Sequence, residues 1–201
     1  MNNAEKYLLL MLNRRGDFSV LDRASKQIGV LACGLSDLLR EEIITLDETS
    51  IIKIEQPLSL ALESLAPLYD YLADHRQATP EEVVYDYVVR LREHWETLFQ
   101  SLGRSLTRQG VVKPTARDSL IKKILYVPER ERLDELLWDM KWSLGREAIA
   151  PAMLDLWNIL RETKQSGFFT TRDERILLKE RGQSAGGELA RGLFLDYQAK
   201  R

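Results

Sequence analysis

Apolar residues recur three and four positions apart over most of the chain, and that period predicts helices. Ala4 to Leu12 is one such stretch, ended by Asn13-Arg14-Arg15-Gly16-Asp17, where glycine and short polar side chains favour a turn. Phe18 to Leu21 reads as extended. Asp22 to Arg40 forms a second helix, rich in small residues (Ala24, Gly29, Ala32, Cys33, Gly34) that let a neighbour approach closely. Leu58, Leu62, Leu65, Leu68, Tyr69 and Leu72 mark a third, which Pro67 is expected to kink. Thr79-Pro80-Glu81-Glu82 supplies an N-cap hydroxyl, a proline at the first helical position and a glutamate at the third. The helix it opens runs, with one break, through Val83, Tyr87, Leu91, Trp95, Leu98, Leu102 and Leu106 to Gly110. Glu129 to Leu144, the stripe from Ile149 to Leu160, Arg172 to Arg181 and Glu188 to Lys200 are further helices, the last two joined by a flexible Gly182 to Gly187 linker.

The period changes in two places. Ile43 to Leu46 and Ile51 to Ile54 are β-branched runs flanking Asp47-Glu48-Thr49-Ser50, the pattern of a short hairpin. Val111 to Lys113 and Ile124 to Val127 form a second candidate pair, with Pro114 to Lys123 as an exposed connection. These elements predict an all-α class: one compact helical domain over residues 1 to 201, built around a central helical bundle with one or two short β-hairpins.

Composition sharpens this picture. A 201-residue chain with 44% apolar and 30% charged residues can bury a substantial core without a staple. The single cysteine, Cys33, has no intramolecular disulfide partner, which suits a reducing, cytoplasmic setting. The apolar run Tyr7 to Leu12 is far shorter than a membrane span. Net charge is only −2, yet the charges are segregated. Residues 41 to 82 hold ten Asp and Glu against Lys53 and Arg76, whereas residues 104 to 132 hold eight Lys and Arg against Asp118, Glu129 and Glu131.

That basic segment is the leading candidate site. Arg104 and Arg108 lie one turn apart on a helix, and Lys113, Arg117, Lys122 and Lys123 follow in the connection. They either meet phosphates and anionic lipid or form a solvated basic rim around a hairpin. Leu120 and Ile121, set among these cations, either dip into a membrane interface or a partner or fold back onto the core. Trp138 and Trp142 fall opposite Leu133, Leu136, Leu137, Met140 and Leu144 on a helical projection. Burial on both sides is the expectation, and a face offered to a protein partner or a second copy is the alternative.

Catalytic patterns are weak by comparison. Gly182-Gln183-Ser184-Ala185-Gly186 matches the G-x-S-x-G nucleophile elbow in letters, but a charged helical stretch precedes it and both histidines lie upstream. His75 and His94 have no second ligand at metal-like spacing, and there is no phosphate-binding glycine loop and no Cys-x-x-Cys. A protein that works by binding, without catalysis, metal or cofactor, is expected.

The order of motifs resembles the Golgi phosphoprotein 3 family. Glu5-Lys6-Tyr7-Leu8-Leu9-Leu10, the turn at Arg15-Gly16, Gly29 to Leu38 and Ile43 to Leu46 resemble its opening helix, small-residue helix and hairpin. Leu102, Leu106 and Gly110-Val111-Val112 resemble its basic helix ending in glycine before an extended hairpin. The resemblance implies an all-α fold and a peripheral membrane protein that binds phosphatidylinositol 4-phosphate and the tails of glycosyltransferases. It also implies a hairpin used in self-association and membrane contact, with Leu120 and Ile121 at or near its tip. At the places of the family's lipid-binding tryptophan and arginines this sequence has Leu21 or Asp22, Leu31, Glu96 and Phe99, none of which can clamp a phosphate. Generic anionic-lipid or protein binding is therefore expected in place of phosphoinositide specificity. The eukaryotic members carry a long polar segment before the first helix, so a bacterial-type relative is expected.

A different class remains open. A helix from Asp22 to Arg40 followed by the Ile43 to Ile54 hairpin also resembles a winged helix, whose partner would be DNA. Glu41, Glu42, Asp47 and Glu48 would then face phosphates, which argues against nucleic acid.

Overall fold

The computed structural model describes residues 1–117 and 123–200, with the side chains of all but Arg117 and Lys123. It is a compact, mostly helical domain carrying two small antiparallel strand pairs. Along the chain run α1 (Asn3–Met11), α2 (Arg23–Arg40), β1 (Ile44–Leu46), β2 (Ile52–Ile54), α3 (Ala66–Asp74), α4 (Pro80–Tyr85) and α5 (Arg92–Arg108). They are followed by β3 (Val112–Arg117), β4 (Lys123–Pro128), α6 (Arg130–Leu144), α7 (Pro151–Glu162), α8 (Arg172–Glu180) and α9 (Ala185–Ala199).

The small residues of α2 explain its central position. Every residue from Lys26 to Leu38 is buried, and the helix packs against α1, α7 and α9. At Gly29 a Cβ would fall 2.0 Å from the Tyr7 ring, so glycine is what permits the α1–α2 contact. Between Lys26 and Leu38 the helix has no exposed face.

Two buried carboxylates join the helix ends of this bundle. Asp37 Oδ2 accepts the backbone N–H groups of Asn3 (2.7 Å) and Ala4 (3.1 Å), while Oδ1 pairs with Arg40 at 2.5 Å. Asp155 Oδ1 accepts the Gly186 amide at 3.0 Å, and Oδ2 accepts the Ser36 hydroxyl at 3.1 Å. Each acid thus satisfies orphan donors in the first turn of a helix, α1 in one case and α9 in the other, where the helix dipole also favours negative charge.

The first hairpin forms as its sequence predicts, with Ile44 opposite Ile54 and Leu46 opposite Ile52. Asp47 sets its turn: Oδ1 accepts from the Thr49 amide (2.9 Å), the Thr49 hydroxyl (2.8 Å) and the Ile51 amide (2.9 Å). The Thr49 hydroxyl, then the Ile51 amide, hold this carboxyl down at about 2.

Several local expectations change. Phe18 to Leu21 is not a strand; Phe18 turns inward against Trp95 and Phe99, and the residues after it form a bend. Pro67 does not kink a helix: Leu60–Leu65 is a 3₁₀ segment and α3 starts at Ala66, so the proline occupies the first turn, where it costs no hydrogen bond. The break in the long helix is a π-helical segment, Asp86–Arg90. The Gly182 to Gly187 linker is shorter than expected, because α9 begins at Ala185 with Ser184 as its N-cap.

Candidate functional site

The second hairpin is longer than the β-branched runs suggested. Val112 pairs with Pro128, Lys113 with Val127, Pro114 with Tyr126, Thr115 with Leu125, Ala116 with Ile124 and Arg117 with Lys123. Pro114 to Arg117 and Lys123, read from sequence as connection, are therefore strand residues. Proline is tolerated in this position because both members of a two-stranded ribbon are edge strands.

Two anchors fix the ribbon. Gln100 on α5 donates its amide to the Ile124 carbonyl (2.9 Å) and accepts the Tyr126 hydroxyl (2.7 Å). On the other side the Gly16 carbonyl accepts the Tyr126 amide at 3.3 Å. Gly16 has φ +76°, and a Cβ there would lie 2.7 Å from the Tyr126 backbone, so glycine is required both by conformation and by the closeness of the α1–α2 turn to β4.

Because strand side chains alternate, the ribbon stands between two grooves. Pro114, Ile124 and Tyr126 share one with Arg104 and Arg108 of α5, a groove of about 570 Å³. Thr115, Leu125 and Val127 share the other with Arg14, Arg15 and Arg23 of the α1–α2 turn, about 660 Å³. Glu63 lies on the first and pairs with Arg108 at 3.3 Å; Asp17 lies on the second and pairs with Arg23 at 3.0 Å. Arg14, Arg15 and Arg104 make no ion pair with another described residue, so both grooves keep an excess of positive charge. Ile124 adds an apolar side chain 46% exposed beside Arg104.

The sequence-predicted residues thus separate into groups. Arg104 and Arg108 come together with Ile124 as a basic and apolar face. Lys113 points to the β4–α6 junction, where Glu129 neutralises it at 2.6 Å. The side chains of Arg117 and Lys123, and the whole of Leu120, Ile121 and Lys122, lie outside the described residues. Arg14, Arg15 and Arg23 escape a sequence reading focused on residues 104 to 132, since only the fold brings the first turn against the ribbon.

Trp138 and Trp142 depart from the expectation of two-sided burial. Leu136, Met140 and Leu144 fill the inner face of α6, so the tryptophans are left outside, 63% and 56% exposed. Their rings stack on each other at 5.5 Å with a 9° tilt, and the Arg146 guanidinium lies 5.9 Å from the Trp142 ring. The face of α6 that carries them is open to solvent.

A larger groove, about 1100 Å³, lies between the end of α3 and the π-helical segment. Sequence spacing keeps His75 and His94 apart, but both rings pack on Tyr71, at 4.2 and 5.3 Å. Tyr71 donates to Asp86 at 2.8 Å, and burial first, then that carboxylate, pushes its phenol well above the ordinary value. Three cations (Arg76, Arg90, Lys200) face three anions (Asp74, Glu82, Asp86) here, so the formal charges lining this groove cancel.

The nucleophile-elbow letters have a structural use. Ser184 Oγ accepts the Gly187 amide and the Asn158 side-chain amide, both at 3.2 Å, as the cap of α9. Burial pushes the Cys33 thiol up and leaves it in the core. Among the described residues no three His, Cys, Asp or Glu side chains gather as a metal site, and no described helix is long and apolar enough to cross a membrane. Leu31 and Phe99 are core residues, and Leu21 is exposed. No protein-family model matches the sequence, and no curated protein matches it.

Proposed function

We propose that this protein works by binding, and that the ribbon end of the molecule docks on an anionic phospholipid surface, as a peripheral membrane protein of the cytoplasm. One observation carries the reading: a hairpin flanked on both faces by grooves with excess arginine, with the apolar side chain of Ile124 exposed in one of them. The connection between β3 and β4 extends the same chemistry in sequence, with Leu120 and Ile121 among Arg117, Lys122 and Lys123. Basic residues attract the surface charge of anionic lipid, each contributing about 1 kcal/mol near the headgroups, and adjacent apolar side chains then enter the interface. No built phosphate clamp is needed for such binding.

Flotation with phosphatidylcholine vesicles, with and without phosphatidylserine, tests this. The chain is expected to float only with the anionic vesicles, and Leu120→Asp/Ile121→Asp is expected to weaken that binding. Failure to float with either vesicle removes the proposal.

A further inference from the structure

Two of the four tryptophans lie in water on one face of α6, while Trp95 and Trp157 are buried. Leaving two large aromatic rings side by side in solvent forgoes the burial that the hydrophobic effect favours. The support beneath them is firm. Lys141, on the flank of the helix, is tied to Glu174 of α8 at 3.5 Å. Arg181 donates to the carbonyls of Leu144, Arg146 and Glu147, which braces the chain just after the helix. Trp138 and Trp142 are thus presented as a stacked pair on a fixed element.

Charge along the same stripe is polarised. Glu131, Asp134 and Glu135, all exposed, precede Trp138 by seven, four and three residues, the spacings of one helix face. Arg146, also exposed, follows Trp142 by four residues and lies 5.9 Å from its ring. Glu135 is paired with Arg132, whereas Glu131, Asp134 and Arg146 make no ion pair with another described residue.

A second copy of this chain meets all of these features at once. Turned end for end, the helix sets Trp138 opposite the partner's Trp142 and Asp134 opposite the partner's Arg146, because both pairs are centred on position 140. At a rise of about 1.5 Å per residue, the charged pairs then fall about 9 Å to either side of that centre. A parallel arrangement would set carboxylates against carboxylates. A partner of a single charge would satisfy only one end of the stripe, and an anionic bilayer would be repelled by the acidic end. The two rings offer about 200–300 Å² per copy, short of the roughly 800 Å² of a standard interface, so the pairing is weak and concentration-dependent.

We infer that α6 is a self-association surface, on which two copies pair antiparallel about a twofold axis level with Met140. The tryptophans meet at its centre, and an Asp134–Arg146 ion pair closes each end. This inference does not rest on the membrane reading above.

Sedimentation equilibrium of the full chain, from low to high micromolar concentration, tests it together with tryptophan emission. Wild type should pass from monomer to dimer, with a blue shift over the same range, since Trp95 and Trp157 are already buried. Trp138→Ser/Trp142→Ser should stay monomeric with an unchanged circular dichroism spectrum. Arg146→Glu, which keeps both rings, should weaken the dimer about tenfold, and Asp134→Arg/Arg146→Glu should recover most of that loss. A dimer that the serine variant forms equally well overturns the inference and places self-association elsewhere on the molecule. A wild type that stays monomeric also overturns it, and reduced vesicle flotation of the serine variant would then give the face to the bilayer.

Discussion

The Asp37 carboxylate supports one of the most consequential contacts in the fold, and Asp37→Ala is its sharpest test. The residue is fully buried and accepts the Asn3 and Ala4 amides while pairing with Arg40 at 2.5 Å. Truncation leaves two helix-start amides unsatisfied and a guanidinium with only the 3.5 Å contact to Asp155. Breaking a buried, hydrogen-bonded ion pair from one side costs about 3–5 kcal/mol. The Arg40 side chain is 28% exposed and can recover some solvation, which moves the expectation to the lower end, about 3 kcal/mol. In a chain of this length that is a fall of about 6–12 °C in Tm. Burial raises the Asp37 pKa in spite of Arg40 and the two amides, so the charged form already bears a desolvation cost. Asp37→Asn, isosteric and neutral, should therefore be milder than alanine. Urea and thermal unfolding followed by circular dichroism would measure both. A loss below about 1 kcal/mol for Asp37→Ala would refute the reasoning, because it would mean that water or Asp155 replaces the contact.

Three further outcomes follow from other contacts of the fold. The Asp47 carboxyl titrates in the folded chain at about 2, below its ordinary 3.8, so its contribution to the β1–β2 turn is present above that ordinary value and disappears as pH falls through about 2. Protection of the Thr49 and Ile51 amides, relative to their intrinsic exchange, should fall over that window in wild type and stay flat in Asp47→Asn; equal protection profiles for the two would contradict the turn mechanism. Trp157→Ala should cost about 3–5 kcal/mol, since its ring is fully buried and its indole N–H donates to the Met140 carbonyl at 3.2 Å. Trp138→Ala/Trp142→Ala should cost under about 1.5 kcal/mol, the scale of one exposed aromatic contact, and a loss as large as that of Trp157 would place the pair in the core.

How much of this was legible in the sequence depends on the range over which the information acts. Thr79-Pro80-Glu81-Glu82 announces a helix start through local hydrogen bonding, and the structure has the complete capping box there. The β1–β2 hairpin is equally local. The extent of β3 and β4 was not legible, because Pro114 reads as a breaker unless one knows that the ribbon has only edge strands. Trp138 and Trp142 misled because an aromatic on a helix carries no sign of which side the core lies on; that is decided by α1 and α8, which cover the opposite face. Arg104 and Arg108 could be seen as a face from their spacing. Arg14 and Arg15 could not be joined to it, since the Gly16 contact with Tyr126 that brings the turn to the ribbon spans 110 residues. His75 and His94 met on Tyr71 for the same reason.

On the proposed reading, the ribbon end attracts membranes through arginine. It is tested most directly by vesicle partition of wild type and Arg104→Ala/Arg108→Ala, at low and high salt. Arg104 should count for about 1 kcal/mol and Arg108 for less, being already paired with Glu63, so the double variant should partition about tenfold more weakly into phosphatidylserine-containing vesicles. Wild-type binding should also fall steeply as salt rises. Partition that is the same for both proteins and indifferent to salt would contradict the account.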